Sequence, residues 1–157
     1  MMGYIEEIRS KLGNDPIILN SAGVIIPDAE GRVLLQYRND TKNWGLPGGY
    51  MELGETFEET ARRELKEEMG IKPNNLAFFE IFSGSDFYHE YPNGDQVYSV
   101  AAVYIVYGIK EEIKPDQKEI SRVAYFSFDE LPQHLTKTSR LILEHYRKSR
   151  DTRDTLH

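Results

Sequence analysis

Apolar and polar positions along this chain follow two different periods. Tyr4, Ile5, Ile8 and Leu12 recur at helical spacing, and Gly13-Asn14 closes the run, which predicts a short amphipathic helix over 4–12. Residues 17–27 and 32–38 are dense in Val, Ile and Leu and read as two strands, with Asp28-Ala-Glu-Gly31 as a hairpin turn between them. Residues 39–49 read as a loop. Helical spacing returns with Phe57, Ala61, Leu65 and Met69, four apart on one face. Thr56-Phe-Glu-Glu59 is a capping-box sequence at the start of this helix, Gly70 suits its C′ position, and Pro73 follows where a helix does not continue. Strand signals resume over 76–89 and 96–109. Tyr91-Pro-Asn-Gly-Asp95 joins them, and Asn93-Gly94 points to a type I′ turn. Residues 110–118 form a charged loop, 122–128 a further strand, and 139–148 a helix with Leu141, Ile142, His145 and Tyr146 available to pack. The pattern predicts a mixed α/β domain over 1–149 and a frayed polar tail over 150–157.

Composition narrows the functional classes. Charged residues make up 29% of the 157 and hydrophobic ones 39%, as in ordinary globular chains. Runs of the roughly 18 apolar residues needed to span a bilayer do not occur. The first residues carry Glu6 and Glu7 where a signal peptide needs a basic and then an apolar run, so the expected location is cytoplasmic. With no cysteine, a disulfide framework and a thiolate zinc site are excluded. A net charge of −7 argues against an extended nucleic-acid surface, which needs clustered Lys and Arg, but leaves room for a small anionic substrate held through a metal.

The candidate chemistry lies in the acids. Glu52, Glu55, Glu64, Glu67 and Glu68 gather around one glycine-rich segment and one helix. Glu64, Glu67 and Glu68 stand at i, i+3 and i+4, so a helix brings all three to one face, taken here as a cleft opposite the apolar stripe. Like charges at that spacing repel, and a hard divalent cation, which takes carboxylate oxygens, removes the repulsion.

The spacing resembles the Nudix box: Gly49, Glu55, Arg63-Glu64-Leu65, Glu67-Glu68, Gly70 and Ile71, with Trp44-Gly-Leu-Pro-Gly-Gly49 as its entry. Nine specified positions over 23 residues do not coincide by chance. The resemblance implies an α/β/α sandwich with a curved mixed sheet between helices, and a divalent-metal-dependent hydrolase of the diphosphate linkage in small nucleoside diphosphate derivatives. The implied cofactor is Mg²⁺ or Mn²⁺. The implied ligands are Glu64, Glu67, Glu68 and the carbonyl of Gly48, with Glu55 and Arg63 holding loop to helix. Glu119, on the loop before the 122–128 strand, stands where relatives often carry an acid that reaches the metal site. The general base stays open between a box glutamate and Glu119. Arg38 is a candidate phosphate contact and Glu52 a candidate for ligand or water positioning. Trp44, Tyr50, Phe87, Tyr88, Tyr91 and Tyr98 are candidate base-stacking aromatics. Alternatives are a nucleoside triphosphate pyrophosphohydrolase, an RNA 5′-end pyrophosphohydrolase, and a Nudix-like module that senses its ligand without cleaving it. The first helix and the aromatic hairpin from Phe87 to Tyr98 make a homodimer a candidate assembly, and the alternative is that Ile5, Ile8 and Leu12 cover the chain's own sheet.

Overall fold

The computed structural model describes residues 3–156, with side chains to residue 151. In chain order the elements are α1 (Tyr4–Leu12), β1 (Ile17–Ile25), β2 (Val33–Arg38), β3 (Asn43–Gly45), β4 (Gly48–Tyr50), α2 (Phe57–Met69), β5 (Ala77–Phe82), β6 (Tyr88–Glu90), β7 (Gln96–Ile105), β8 (Ile120–Phe126) and α3 (Lys137–Leu156). One sheet runs β4-β1-β7-β5, with β6 also paired to β7; a smaller one runs β3-β2-β8. The only parallel pair among these, β1 with β7, holds register from Ile17↔Val97 to Ile25↔Ile105. Such a pair needs a long crossover, and α2 lies within it.

Helices cover the sheets in an α/β sandwich, and β1 and β7 are accordingly apolar on both faces toward their ends. Ala22, Val24, Ala102 and Tyr104 pack with Ala61, Leu65 and Met69 of α2. Ile25, Val103 and Ile105 pack with Ile142, Leu143 and Tyr146 of α3. In β2, Leu34 joins the α2 core and Val33 and Leu35 the α3 core, as alternation along a strand requires. No helix among the described residues is long and apolar enough to cross a membrane.

Several expectations are corrected. The turn at Asp28 closes as expected, with Gly31 N–H donating to Asp28 O at 3.1 Å, but β1 and β2 part into different sheets beyond Pro27↔Val33. The segment 39–49 is not all loop: β3 pairs with β2, and Gly48-Gly49 belong to β4, antiparallel to β1. The 76–89 strand is broken by a 3-10 turn at Ser85–Phe87. The hairpin at 91–95 exists, but Asn93 does not have the positive φ of a type I′ turn. Pro92 sits at a position where its fixed φ suits an ordinary turn, Gly94 N–H donates to Tyr91 O, and Gly94 alone takes φ +92°. Finally, α3 continues through the polar segment to Leu156, where a frayed tail was expected.

α1 has no buried residue and ends on Gly13 (φ +62°). It is tied down by polar contacts: Arg9 donates to Gly13 O, Asp15 O and Gln96 O, and Glu52 accepts from Tyr4 N–H at 3.3 Å.

Candidate active site

α2 begins on its capping box: Thr56 Oγ1 accepts from Glu59 N–H and Glu59 Oε1 from Thr56 N–H. It ends on Gly70, left-handed at φ +68°. Both ends are therefore fixed by local sequence, which holds the glutamates between them in place. Ala61, Leu65 and Met69 face the core, as the spacing predicts. The acids do not face away from it. Glu68 lies about 60° around the helix from Leu65, beside the apolar stripe, and is 2% exposed. Glu64 is half-buried, and Glu67 is open to solvent. The three thus flank the core stripe and pass from buried to exposed.

Arg63 organises the loop before α2. Its Nε meets Glu55 Oε2 at 2.6 Å and Nη2 meets Glu55 Oε1 at 3.1 Å and Tyr50 O at 2.9 Å. Nη1 reaches Glu64 Oε1 at 2.8 Å and Glu67 Oε2 at 3.3 Å. Glu55 also accepts from Glu52 N–H and Thr60 Oγ1. Its hydrogen bond to Arg63 first, then those to Glu52 and Thr60, hold the Glu55 carboxyl down at about 2 against the pull of burial. A folded-state pKa below the unfolded value stabilises above the unfolded pKa, and the gain disappears as pH falls through the folded one. Wild-type protein should therefore lose stability between roughly pH 4.5 and 2 through this group, and Glu55→Gln should be less stable at pH 7 while lacking that component. Urea melts at pH 7 and pH 3 check this; equal loss in both proteins would refute it.

Gly48 and Gly49 let the strand pass against its neighbours. A Cβ on Gly48, at φ +150°, would meet Ala22 O at 2.2 Å, and one on Gly49 would meet the Glu64 carboxylate at 2.4 Å. Gly48 N–H donates to Glu68 Oε1 at 3.0 Å. Glu68 Oε2 accepts from Gln36 Nε2 at 2.7 Å and lies 3.7 Å from Arg38 Nη1. Burial first, then the Glu64 charge, pushes the Glu68 carboxyl up to about 8 despite those partners. Glu64 is raised by burial too, against Arg63.

Arg38 is not a plain surface arginine. Its guanidinium lies between Asp40, at 3.2 Å, and Glu68. Glu119 arrives by backbone ties: Lys114 N–H and Asp116 N–H donate to Met69 O and Glu68 O at the end of α2, Asp116 Oδ1 accepts from Glu119 N–H, and Asn39 N–H donates to Glu119 O. The loop so fixed puts the Glu119 charge near both Arg38 and Glu64.

A cavity of about 390 Å³ opens here, and Arg38, Gly48, Gly49, Glu64 and Glu119 line it. Tyr50, Phe87, Tyr88, Tyr91 and His89 line it too. Trp44 is elsewhere, edge-on to Tyr37 and Phe126, and Tyr98 pairs with Tyr88 outside the lining. Glu52 borders the cavity, but its carboxylate also caps the first turn of α1.

The donors fit a hard divalent cation: carboxylates of Glu64, Glu67 and Glu68 beside the backbone of Gly48, with no soft ligand. Among the described residues no three acids or histidines already converge as a ligand cluster. The reason is visible in the hydrogen bonds, since Arg63 holds Glu64 and Glu67 while Gln36 and Gly48 hold Glu68. Gln36 was not singled out by sequence reasoning. The signal was there: a polar residue directly after Val33-Leu34-Leu35 in a segment read as a strand.

The chain belongs to the Nudix family. The family model described as NUDIX domain matches residues 18–146. An ADP-ribose pyrophosphatase of Methanocaldococcus jannaschii is 30% identical over 126 residues, 80% of this chain and 70% of that protein. The NAD-capped RNA hydrolase NudC of Mannheimia succiniciproducens is 31% identical over 73% of this chain. The chain spans 42% of NudC's length and 38% of another curated relative's. A crystal structure of a MutT Nudix hydrolase from Burkholderia pseudomallei superposes with a TM-score of 0.69 at 29% identity, covering 82% of this chain and 97% of that one.

Proposed function

We propose that this protein hydrolyses the diphosphate linkage of a small nucleoside diphosphate derivative, with Mg²⁺ or Mn²⁺ as cofactor. The observation that carries the reading is the lining of one cavity, which brings Glu64, Glu119, Arg38 and the Gly48-Gly49 backbone together with the rings of Tyr50 and Tyr91. Water adds to one phosphorus as the bridging bond to oxygen breaks, leaving two monophosphates. Glu64, Glu67, Glu68 and the Gly48 carbonyl would hold the cation. When bound, it supplies neutralisation of the diphosphate oxygens and a more acidic water. Arg38 adds a fixed positive charge for a phosphate, and Glu119 offers an exposed carboxylate for orienting water. Tyr50 and Tyr91, joined through their hydroxyls at 2.9 Å, give the nucleoside an aromatic wall.

The ADP-ribose pyrophosphatase of Methanocaldococcus jannaschii supports ADP-ribose as the first substrate to test, and nucleoside triphosphates come second. Product release from ADP-ribose, other nucleoside diphosphate conjugates, nucleoside triphosphates and 5′-triphosphorylated RNA should show monophosphate from ADP-ribose. EDTA should abolish turnover and Mg²⁺ or Mn²⁺ restore it. Pyrophosphate from triphosphates alone would favour the second reading, binding without cleavage would favour a sensor, and turnover in EDTA would overturn the metal dependence.

A further inference from the structure

We propose that Gln36 is a positioning residue for the metal site, fixing the Glu68 carboxylate in the orientation a divalent cation meets. The inference rests on the reading of Glu68 as a metal ligand. Gln36 lies outside the box, on β2, on the α2-facing side that it shares with Leu34.

Packing does not explain a glutamine there. Gln36 is fully buried, and it follows three buried aliphatic residues, Val33, Leu34 and Leu35. A buried amide needs partners on both its oxygen and its nitrogen, or it destabilises the fold. Here Nε2 donates to Glu68 Oε2 at 2.7 Å, while Oε1 has no hydrogen-bond partner. A leucine or methionine would fill the same space with no unpaired amide oxygen, but it would leave Glu68 Oε2 without this donor. What the amide supplies is a single directed N–H to one oxygen of one carboxylate.

That bond acts together with a second one. Glu68 Oε1 is held by Gly48 N–H from β4, and Oε2 by Gln36 from β2. Two donors on two different strands, one per oxygen, fix the carboxylate plane. An ionised carboxylate has about four lone-pair sites, so each oxygen keeps one for a cation. Glu67 contrasts with this: it is exposed, and its side chain bonds to Arg63 at 3.3 Å. Of the three box acids that would bind metal, Glu68 is the one with a donor on each oxygen, and Gln36 is one of the two donors. Hydrogen-bond partners that orient metal ligands typically change affinity 10–100-fold.

The test is Mn²⁺ binding to substrate-free protein, read from the electron paramagnetic resonance signal of free Mn²⁺. Gln36→Met, which keeps the volume and removes the donor, should raise the Mn²⁺ dissociation constant about 10–100-fold. Gln36→Ala carries the same expectation, and either variant with a cooperative melting transition decides the matter. In turnover assays the Mn²⁺ requirement should rise in parallel, while KM for substrate at saturating Mn²⁺ stays put. In a Glu68→Gln background, Gln36→Met should change Mn²⁺ affinity no further. A lowered melting temperature with unchanged Mn²⁺ affinity would make Gln36 merely structural and overturn the inference. Wild-type Mn²⁺ affinity in Glu68→Gln alone would overturn the reading of Glu68 as a ligand, and the inference with it.

Discussion

Glu68→Gln should lower turnover by on the order of 10²–10⁴-fold while making the metal-free protein more stable at alkaline pH. The loss follows from the several kcal/mol that a correctly held cation contributes to charge neutralisation, at about 1.4 kcal/mol per tenfold in rate. The gain follows from linkage. Burial and the Glu64 charge raise the Glu68 carboxyl to about 8 in the folded protein. A carboxyl whose folded pKa exceeds its unfolded value takes up a proton on folding. Its favourable contribution is complete below the unfolded pKa and is lost as pH rises to the folded one. Metal-free wild-type protein should therefore melt at lower temperature at pH 8.5 than at pH 6, and Glu68→Gln should flatten that component. Mg²⁺ should restore the wild-type protein at pH 8.5 and do little for the variant. Thermal melts in EDTA and in Mg²⁺ at both pH values, alongside product release, check both halves. A variant with wild-type turnover at saturating Mg²⁺ would remove Glu68 from the metal site.

Periodicity made most of the fold legible, because the elements are amphipathic and locally capped. Thr56, Glu59 and Gly70 bound α2 as their types dictate, and the apolar positions four apart reach the core. The box acids were legible as a set but not as individuals. Spacing alone treats Glu64, Glu67 and Glu68 alike, whereas their depth depends on β2 and β4, which are remote in sequence. Periodicity did not foresee that β1 and β2 enter different sheets, since the turn at Asp28 looks the same either way. It took Asn93-Gly94 for the turn centre because the preference of that pair is strong, but Pro92 sets the turn one position earlier. Gln36 went unremarked because a polar residue within a strand is ordinary until its burial and its partner across the fold are known.

The two adjacent glycines should fail in opposite ways when given a methyl group. Gly48 pairs with Gly23 across β1 and β4, at φ +150°, and its added Cβ would lie 2.2 Å from Ala22 O and 2.9 Å from Gly23 Cα. Those atoms are backbone in the middle of the sheet and cannot yield singly. Strain of about 1–3 kcal/mol at such a φ and a similar overpacking cost add in Gly48→Ala. At roughly 2–4 °C per kcal/mol for a chain of this size, a fall of about 10 °C in melting temperature is expected. A Cβ on Gly49 meets Glu64 instead, at 2.4 Å from both Cδ and Oε1. That is the far end of a flexible side chain, which can swing aside by giving up its bond to Arg63. Gly49→Ala should therefore keep most of its thermal stability and lose turnover, because Glu64 is turned out of the cavity it lines. Calorimetry and product release on both variants separate the two glycines. A Gly48→Ala protein with the wild-type melting temperature would contradict the close approach to β1. A Gly49→Ala protein with full activity would show that Glu64 need not stand where the strand passes it.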